Sequence, residues 1–117
     1  MQFKDYMNKL NESLTIKQIK EKFKDKFSKI NVYEFENKIS IDLIIASEKN
    51  QGFGTELMKD ICEYADSSKK IIVLSPSDEF GGNKKKLFEF YKRFGFVENK
   101  GKNKEFGIFE TMYRNPR

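Results

Sequence analysis

The sequence of 117 residues contains no histidine and a single cysteine, Cys62. Without histidine, a Ser-His-Asp or Cys-His nucleophilic site is excluded, as is any metal site with histidine ligands. With one cysteine, neither an intramolecular disulfide nor a zinc site built from several cysteines can form. Cys62 falls on the apolar stripe of a predicted helix, so we expect a buried side chain that fills the core rather than a nucleophile.

Long apolar runs are missing as well. Residues 1–5 do not open a stretch of signal-peptide length, and no segment approaches the length that spans a membrane. We therefore expect a soluble protein of the cytoplasm, or of the host cytoplasm if the source is viral. The chain length predicts one domain with one core, and twelve Phe and five Tyr supply bulky side chains for it.

The charge of the chain favours an anionic partner. The formal net charge is +5, from 23 basic and 18 acidic residues. Both nucleic acid and a phosphate-bearing coenzyme satisfy this preference, and the charge does not choose between them. Because basic residues occur in every segment, a solvated charged surface is the alternative interpretation.

Two amphipathic segments are predicted at the amino-terminal end. Apolar residues at helical spacing predict a short helix or arm over 1–14 and a helix over about 16–28. Thr15 and Gln18 have the spacing of a capping box at the start of the second segment. Lysines on the outer face of that helix are expected to form a solvated exterior.

An antiparallel hairpin follows in the predicted order. Strands over 31–35 and 39–46 are separated by a tight turn at 36–38. Alternation of apolar residues predicts one buried face on the second strand, formed by Ile39, Ile41, Leu43 and Ile45. From Leu43 to Ala46 both faces become apolar, so this strand is expected to run into the centre of the sheet.

The carboxy-terminal half predicts a βαβ unit and two further strands. A helix over 52–66 and a short buried strand over 71–74 form a right-handed crossover with the preceding strand. A second helix is expected to end at Gly95, before strands over 96–98 and 106–113. The expected fold class is therefore α/β (α+β), with a mixed, mostly antiparallel sheet flanked by helices.

A glycine-containing turn joins the strand 39–46 to the helix 52–66. It reads Lys49-Asn50-Gln51-Gly52-Phe53-Gly54-Thr55. Two glycines one residue apart allow unusual backbone angles and the close approach of a ligand. The first turn of a helix also leaves amides unpaired, which is what holding a phosphate requires. An ordinary strand-to-helix turn is the alternative interpretation.

A second pattern, Leu87-Phe88-Glu89-Phe90-Tyr91-Lys92-Arg93-Phe94-Gly95-Phe96, lies further along the chain. Together the two patterns resemble the GNAT family of acetyl-CoA-dependent N-acetyltransferases. The signature of that family is Arg/Gln-x-x-Gly-x-Gly/Ala after a central strand, then a helix ending close to Phe-Tyr-x-x-x-Gly-Phe. The matching positions are Lys49, Gly52 and Gly54 in the first pattern, and Tyr91, Gly95 and Phe96 in the second.

The resemblance covers roughly residues 30–114 and departs from the family in two respects. Lys49 stands where the family has Arg or Gln, and it keeps a cationic donor but loses the planar fork. The meander of strands before the glycine turn is shortened at its start. The second half is also similar to small acetyltransferase-like proteins encoded by bacteriophages, especially over 95–100 and 110–116.

The resemblance implies a site for acetyl-CoA as co-substrate. The first strand of the βαβ unit would separate from the second, so that backbone groups near Leu43, Ile44 and Ile45 bind the pantetheine arm and the thioester. The amides of the glycine turn would hold the pyrophosphate. The expected coenzyme-binding residues of that turn and of the next helix start are Lys49, Gln51, Gly52, Phe53, Gly54, Thr55 and Asn83, and Asn83 is also a candidate helix cap.

Three residues are candidates for catalysis. Tyr91 occupies the position at which many family members place a tyrosine beside the coenzyme sulfur, although a tyrosine on an apolar helix face is more often part of the core. Asp42 and Glu36 are candidate general bases, although exposed carboxylates usually serve only solubility. No metal is expected.

Two other functions are compatible with the sequence. The shortened amino-terminal half suggests a binding module that keeps the fold and engages a host protein without catalysis. The basic charge, with Phe and Tyr interleaved among Lys, suggests nucleic-acid binding as a weaker alternative. A sheet edge exposed by the missing strands makes a homodimer plausible.

Overall fold

The computed structural model describes residues 14–47, 52–76 and 84–117. Within these ranges the chain forms three α-helices, five β-strands and one short 3-10 helix. In chain order these are α1 (Ile16–Phe23), β1 (Phe27–Glu34), β2 (Lys38–Ala46), α2 (Phe53–Ser68), β3 (Ile71–Leu74), α3 (Lys84–Lys92), β4 (Val97–Glu98), the 3-10 helix (Gly101–Asn103) and β5 (Met112–Arg114). The segment 1–14 predicted as a helix or arm lies outside the described residues, apart from its last residue.

The five strands form one mixed sheet in the order β1-β2-β3-β5-β4. β2 and β3 are parallel, and the other three neighbouring pairs are antiparallel. The helix α2 connects the two parallel strands, so the predicted βαβ unit and the α/β class are confirmed. β1 lies at one edge of the sheet, and the two-residue strand β4 lies at the other.

The core is built from the apolar stripes of α1 and α2 packed with the sheet. The predicted stripe of α2 is confirmed, with Leu57, Met58, Ile61, Cys62 and Ala65 buried. On α1 the residues Ile16, Ile19 and Phe23 are buried. The capping box is also confirmed, because Gln18 N donates to Thr15 Oγ1 while the Gln18 side chain accepts from Thr15 N.

A β-bulge interrupts the alternation predicted for β2. In the pairing with β1, Asn31 lies opposite Leu43 and Val32 opposite Ile41, which leaves Asp42 as the extra residue. Ile39 and Ile41 are buried before the bulge, whereas Ile44 and Ala46 pack against the core after it. The prediction that Leu43 and Ile45 share the face of Ile39 and Ile41 is therefore wrong, because the bulge shifts the side-chain period by one residue.

Two predicted boundaries are also wrong. The helix expected over 16–28 ends at Phe23, and Phe27 begins β1. Phe23 and Phe27 are both buried and their rings meet edge to face at 6.0 Å, so their spacing of four fits either structure. The strand expected over 106–113 is reduced to Met112–Arg114, because the preceding carbonyls of Ile108 and Glu110 accept hydrogen bonds from the side chain of Asn99.

A buried arginine fastens the carboxy-terminal residues to α2. Arg114 is 4% exposed, and its Nη1 and Nη2 donate to the two carboxylate oxygens of Asp66 at 2.8 and 3.1 Å. Its Nε also donates to the carbonyl oxygen of Phe94 at 2.6 Å. The paired guanidinium holds the pKa of Asp66 below its usual range. This ion pair connects α2, β5 and the end of α3.

None of the helices within 14–47, 52–76 and 84–117 combines the length and the apolar character that crossing a bilayer requires.

Candidate functional site

The parallel strands β2 and β3 separate at the carboxyl end of β3. Their pairing ends with Ile41 opposite Leu74, while β2 continues for five more residues, from Asp42 to Ala46. A cavity of about 70 Å³ opens at this separation. Its walls come from β2, from the end of β3 and from α3, and they are formed by Ile41, Asp42, Leu43, Ile44, Leu74, Ser75, Pro76, Leu87 and Tyr91. The structure therefore brings together Tyr91, Asp42 and two of the three predicted pantetheine-binding residues.

Tyr91 reaches the cavity from α3. Its ring packs edge to face with Phe90 at 5.3 Å and with Phe96 at 5.6 Å between centroids. These rings fix the side chain from two sides. Burial raises the pKa of Tyr91, so its hydroxyl stays protonated through neutral pH. A neutral phenol at the wall of a cavity can donate a proton to a bound group.

Asp42 also lines the cavity, at the bulge of β2. Its side chain is exposed, and one carboxylate oxygen accepts a hydrogen bond of 2.7 Å from Ser40 Oγ. Ser40 is 9% exposed and lies two residues earlier on the same strand. The bulge turns Asp42 out of the regular ladder, and the hydroxyl holds the carboxylate at the cavity wall. This arrangement leaves the carboxylate open to solvent at the cavity.

Glu36 lies elsewhere. It belongs to the turn between β1 and β2, where Phe35 N donates to Lys38 O. Lys38 pairs with Ile71 at the start of β3, whereas the cavity begins at the other end of that strand. At about 3.3 Å per strand residue, Lys38, at the end of the turn that contains Glu36, is roughly 13 Å from Asp42 along β2. The structure does not bring Glu36 to the cavity.

The glycine turn is described from Gly52 onward. Gly52 is the N-cap of α2 and adopts a left-handed conformation with φ of 77°. Gly54 lies in the first helical turn, and a Cβ atom placed there would meet Phe90 Cζ at 3.7 Å. The start of α2, with Phe53 and Thr55, therefore adjoins the helix that carries Tyr91. Lys49, Gln51 and Asn83 lie outside the described residues.

A lysine that the sequence did not single out also lies at the start of α2. Lys26 Nζ is 4.8 Å from the centroid of the Phe53 ring. Ser47 N donates to the Lys26 carbonyl at 3.0 Å, and both residues line a cavity of about 130 Å³ with Asp25 and Phe53. Lys26 lies beside Phe53 because β1 begins four residues earlier than predicted and pairs with the end of β2. No local motif contains this information.

Comparison with known proteins gives a likeness in fold. No family model matches the sequence, and no curated protein matches it. Among solved structures, the chain is similar to the crystal structure of the anti-CRISPR protein AcrVA5, with a TM-score of 0.55 and 23% sequence identity. The alignment covers 72% of this chain and 85% of that chain. At this level of identity the comparison shows a shared fold alone.

Proposed function

We propose that this protein is an acetyl-CoA-dependent N-acetyltransferase that acts on a primary amine of a small molecule or a protein. The observation that carries the proposal is the separation of β2 from β3 at the Asp42 bulge, with Tyr91 facing the gap. A strand whose edge is released from its neighbour can bind an extended ligand through its backbone. A tyrosine at the same gap supplies the acid that thioester chemistry requires.

The residues present fit the co-substrate. A cavity of about 70 Å³ has room for the end of a ligand and not for a whole coenzyme, so the remaining parts would lie along the surface. The edge of β2 after Ile41 offers N–H and C=O groups of the kind that an amide-bearing arm pairs with. The start of α2, with Gly52 and Gly54, offers amides suited to a pyrophosphate. Lys26 adds a positive charge near that helix start.

The reaction forms a C–N bond and breaks a C–S bond. The amine must lose a proton, the carbonyl oxygen must be polarised, and the departing sulfur must gain a proton. In the proposed site the Tyr91 hydroxyl gives its proton to the sulfur, and its raised pKa keeps that proton available. Backbone N–H groups between Leu43 and Ile45 polarise the carbonyl oxygen.

Asp42 completes the proton balance. Its carboxylate accepts the proton that the acceptor amine loses, directly or through one water molecule. The hydrogen bond from Ser40 orients the carboxylate. Solvent then removes this proton and restores the proton of Tyr91. Glu36 has no part in the proposed site, because it lies at the other end of β2.

The test is a calorimetric titration of the protein with acetyl-CoA. We expect wild-type protein to bind, and Gly54→Glu to lose binding because its carboxylate meets the phosphates. Gly107→Glu is the matched control, because Gly107 lies in open space in the segment between the 3-10 helix and β5. An absence of binding by folded wild-type protein would overturn the proposal.

A second candidate function is a module that binds a CRISPR component without catalysis. It is favoured by the fold shared with a protein named as an anti-CRISPR. A DNA-cleavage assay with purified CRISPR effectors separates the two candidates. Inhibition that requires acetyl-CoA supports acetyl transfer, whereas equal inhibition with and without acetyl-CoA supports binding alone.

A further inference from the structure

The loop between the 3-10 helix and β5 exposes two phenylalanines almost completely. Phe106 is 84% exposed and Phe109 is 96% exposed. We call residues 104–111 the aromatic loop. Phenylalanine side chains contribute most to the stability of cores and interfaces when they are buried. Two exposed phenylalanines within four residues therefore form an apolar surface that no part of the described chain covers. The only other large apolar side chains found exposed in the described ranges, Tyr33 and Phe35, are about half covered.

The aromatic loop is nevertheless held in one conformation. Asn99 is 9% exposed, and its Nδ2 donates to the carbonyls of Ile108 and Glu110 at 2.9 and 3.1 Å. Its Oδ1 accepts from Glu105 N at 2.7 Å. The backbone N of Asn99 also donates to Thr111 O at 2.8 Å. One buried side chain thus closes both ends of the loop.

This rigidity matters for binding. Loops that become ordered only on association lose conformational entropy at that moment, which weakens the complex. The Asn99 hydrogen bonds are already formed in the free protein, so the backbone of the loop loses little further conformational entropy when it binds a partner. Anchor side chains at protein interfaces are typically aromatic and enter pockets on the partner.

The segment that precedes and enters the aromatic loop is strongly positive. Residues 84–104 contain eight Lys or Arg and two Glu, whereas the whole chain has a net charge of +5. The rest of the chain is therefore slightly acidic. Lys104 is the first residue of the loop, and its Nζ is 5.7 Å from the centroid of the Phe106 ring. Lys100 and Lys102 are exposed just before it.

We propose that the aromatic loop docks a protein partner whose surface offers an apolar pocket for Phe106 and Phe109, bordered by carboxylates that face Lys100, Lys102 and Lys104. The docking does not depend on acetyl transfer. If the partner is also the acceptor, this surface selects a protein amine over a small one. Contact through two aromatic side chains on a hydrogen-bonded backbone gives affinity, and the lysines speed and orient the encounter.

The charges favour a protein over the other occupants. Glu105 and Glu110 lie at the two ends of the loop, next to Phe106 and Phe109. Carboxylates at these positions would repel a phosphate backbone, which carries negative charge all along its length, whereas a protein pocket can place its carboxylates opposite the lysines alone. A second copy of this chain would present the same lysines, so symmetric self-association through this face would bring like charges together.

The first test is site-specific cross-linking in the cells in which the protein is naturally produced. p-Benzoylphenylalanine replaces Phe106 in one variant, Phe109 in a second and Phe35 in a control. We expect the first two to form adducts with one protein, at a site bordered by Asp and Glu, and the control to form none with it. Adducts with nucleic acid, adducts with a second copy of this chain, or no adduct would each overturn the proposal.

The second test uses that protein after purification. The double variant Phe106→Ser/Phe109→Ser should bind it at least tenfold more weakly than wild-type protein, with an unchanged melting temperature because both rings are in water. Phe35→Ser is the matched control and should keep full affinity. Acetyl-CoA titration of the same variants should be unaffected. Equal binding by the double variant and wild-type protein would refute the role of the loop, whatever the outcome for acetyl transfer.

Discussion

Gly54→Ala tests whether this glycine serves the fold or a ligand. Gly54 lies in the first turn of α2 without a positive φ, and an added Cβ would meet Phe90 Cζ at an ordinary 3.7 Å. Nothing in the fold therefore requires glycine there. Because alanine restricts the unfolded chain and favours the helix, we expect the free energy of unfolding to rise by about 0.5 kcal/mol. The melting temperature should rise by roughly 2–4 °C.

The same substitution should weaken acetyl-CoA binding. If phosphate oxygens approach the backbone at Gly54, a methyl group displaces them and weakens a charge-assisted hydrogen bond worth about 1.5–3 kcal/mol. The affinity should fall by about tenfold or more. Urea unfolding followed by circular dichroism gives the stability, and calorimetry gives the affinity.

Gly52→Ala is the contrasting variant. Gly52 has open space around it but a φ of 77°, so alanine fits sterically and strains the backbone by about 1–2 kcal/mol. This variant should be less stable than wild-type protein, in contrast to Gly54→Ala. If Gly54→Ala bound acetyl-CoA as tightly as wild-type protein, the phosphates would not lie at this turn. A loss of stability in Gly54→Ala would contradict the packing described for Phe90.

Three further predictions concern single side chains. Tyr91→Phe should keep its affinity for acetyl-CoA and lose turnover by about 10²-fold; because burial raises the pKa of Tyr91, any alkaline loss of wild-type activity from this group should lie above the usual tyrosine range in a pH–rate profile. Asp66→Asn leaves the buried guanidinium of Arg114 without its carboxylate, so urea unfolding at pH 7 should show a loss of about 3 kcal/mol. The pKa of Asp66 is lowered in the folded protein, so this difference from wild-type protein should shrink as the pH falls below about 4, and a difference independent of pH would refute the ion-pair explanation. Cys62 is buried and its pKa is raised to about 11, so it should resist a thiol reagent at pH 8 until urea unfolds the chain; rapid labelling of folded protein would contradict its position in the core.

Much of the fold could be predicted because its signals are local. The stripe from Leu57 to Ala65 has the period of a helix, and the run Ile71–Leu74 has the length of a buried strand. Thr15 and Gln18 have the spacing of a capping box, and Gly95 adopts the left-handed conformation expected at the end of a helix, with φ of 97°. Each of these features is decided within a few neighbouring residues.

The remaining features depend on distant residues. The segment 106–113 has the composition of a strand. However, the Asn99 side chain donates hydrogen bonds to the carbonyls of Ile108 and Glu110, and the rings of Phe106 and Phe109 are exposed to water. Lys26 was predicted to lie inside a helix, and its place beside Phe53 follows from the pairing of Phe27 with Ala46. Tyr91 and Asp42 were both predicted for the site, whereas the location of Glu36 at the far end of β2 required the register of the strands.

The bulge at Asp42 also determines how β2 should tolerate mutation. In an uninterrupted strand, polar substitutions would be tolerated at every second residue from one end to the other. Here the sensitive positions change from odd to even numbers, from Ile39 and Ile41 to Ile44 and Ala46. A library with every substitution at each position of β2 should show this change, from odd to even sensitive positions, at residue 42. Deleting that residue would restore a regular alternation, and we expect Ile44 and Ala46 to stay on the buried face of Ile39 and Ile41, so the deletion should remove the bulge and keep the core.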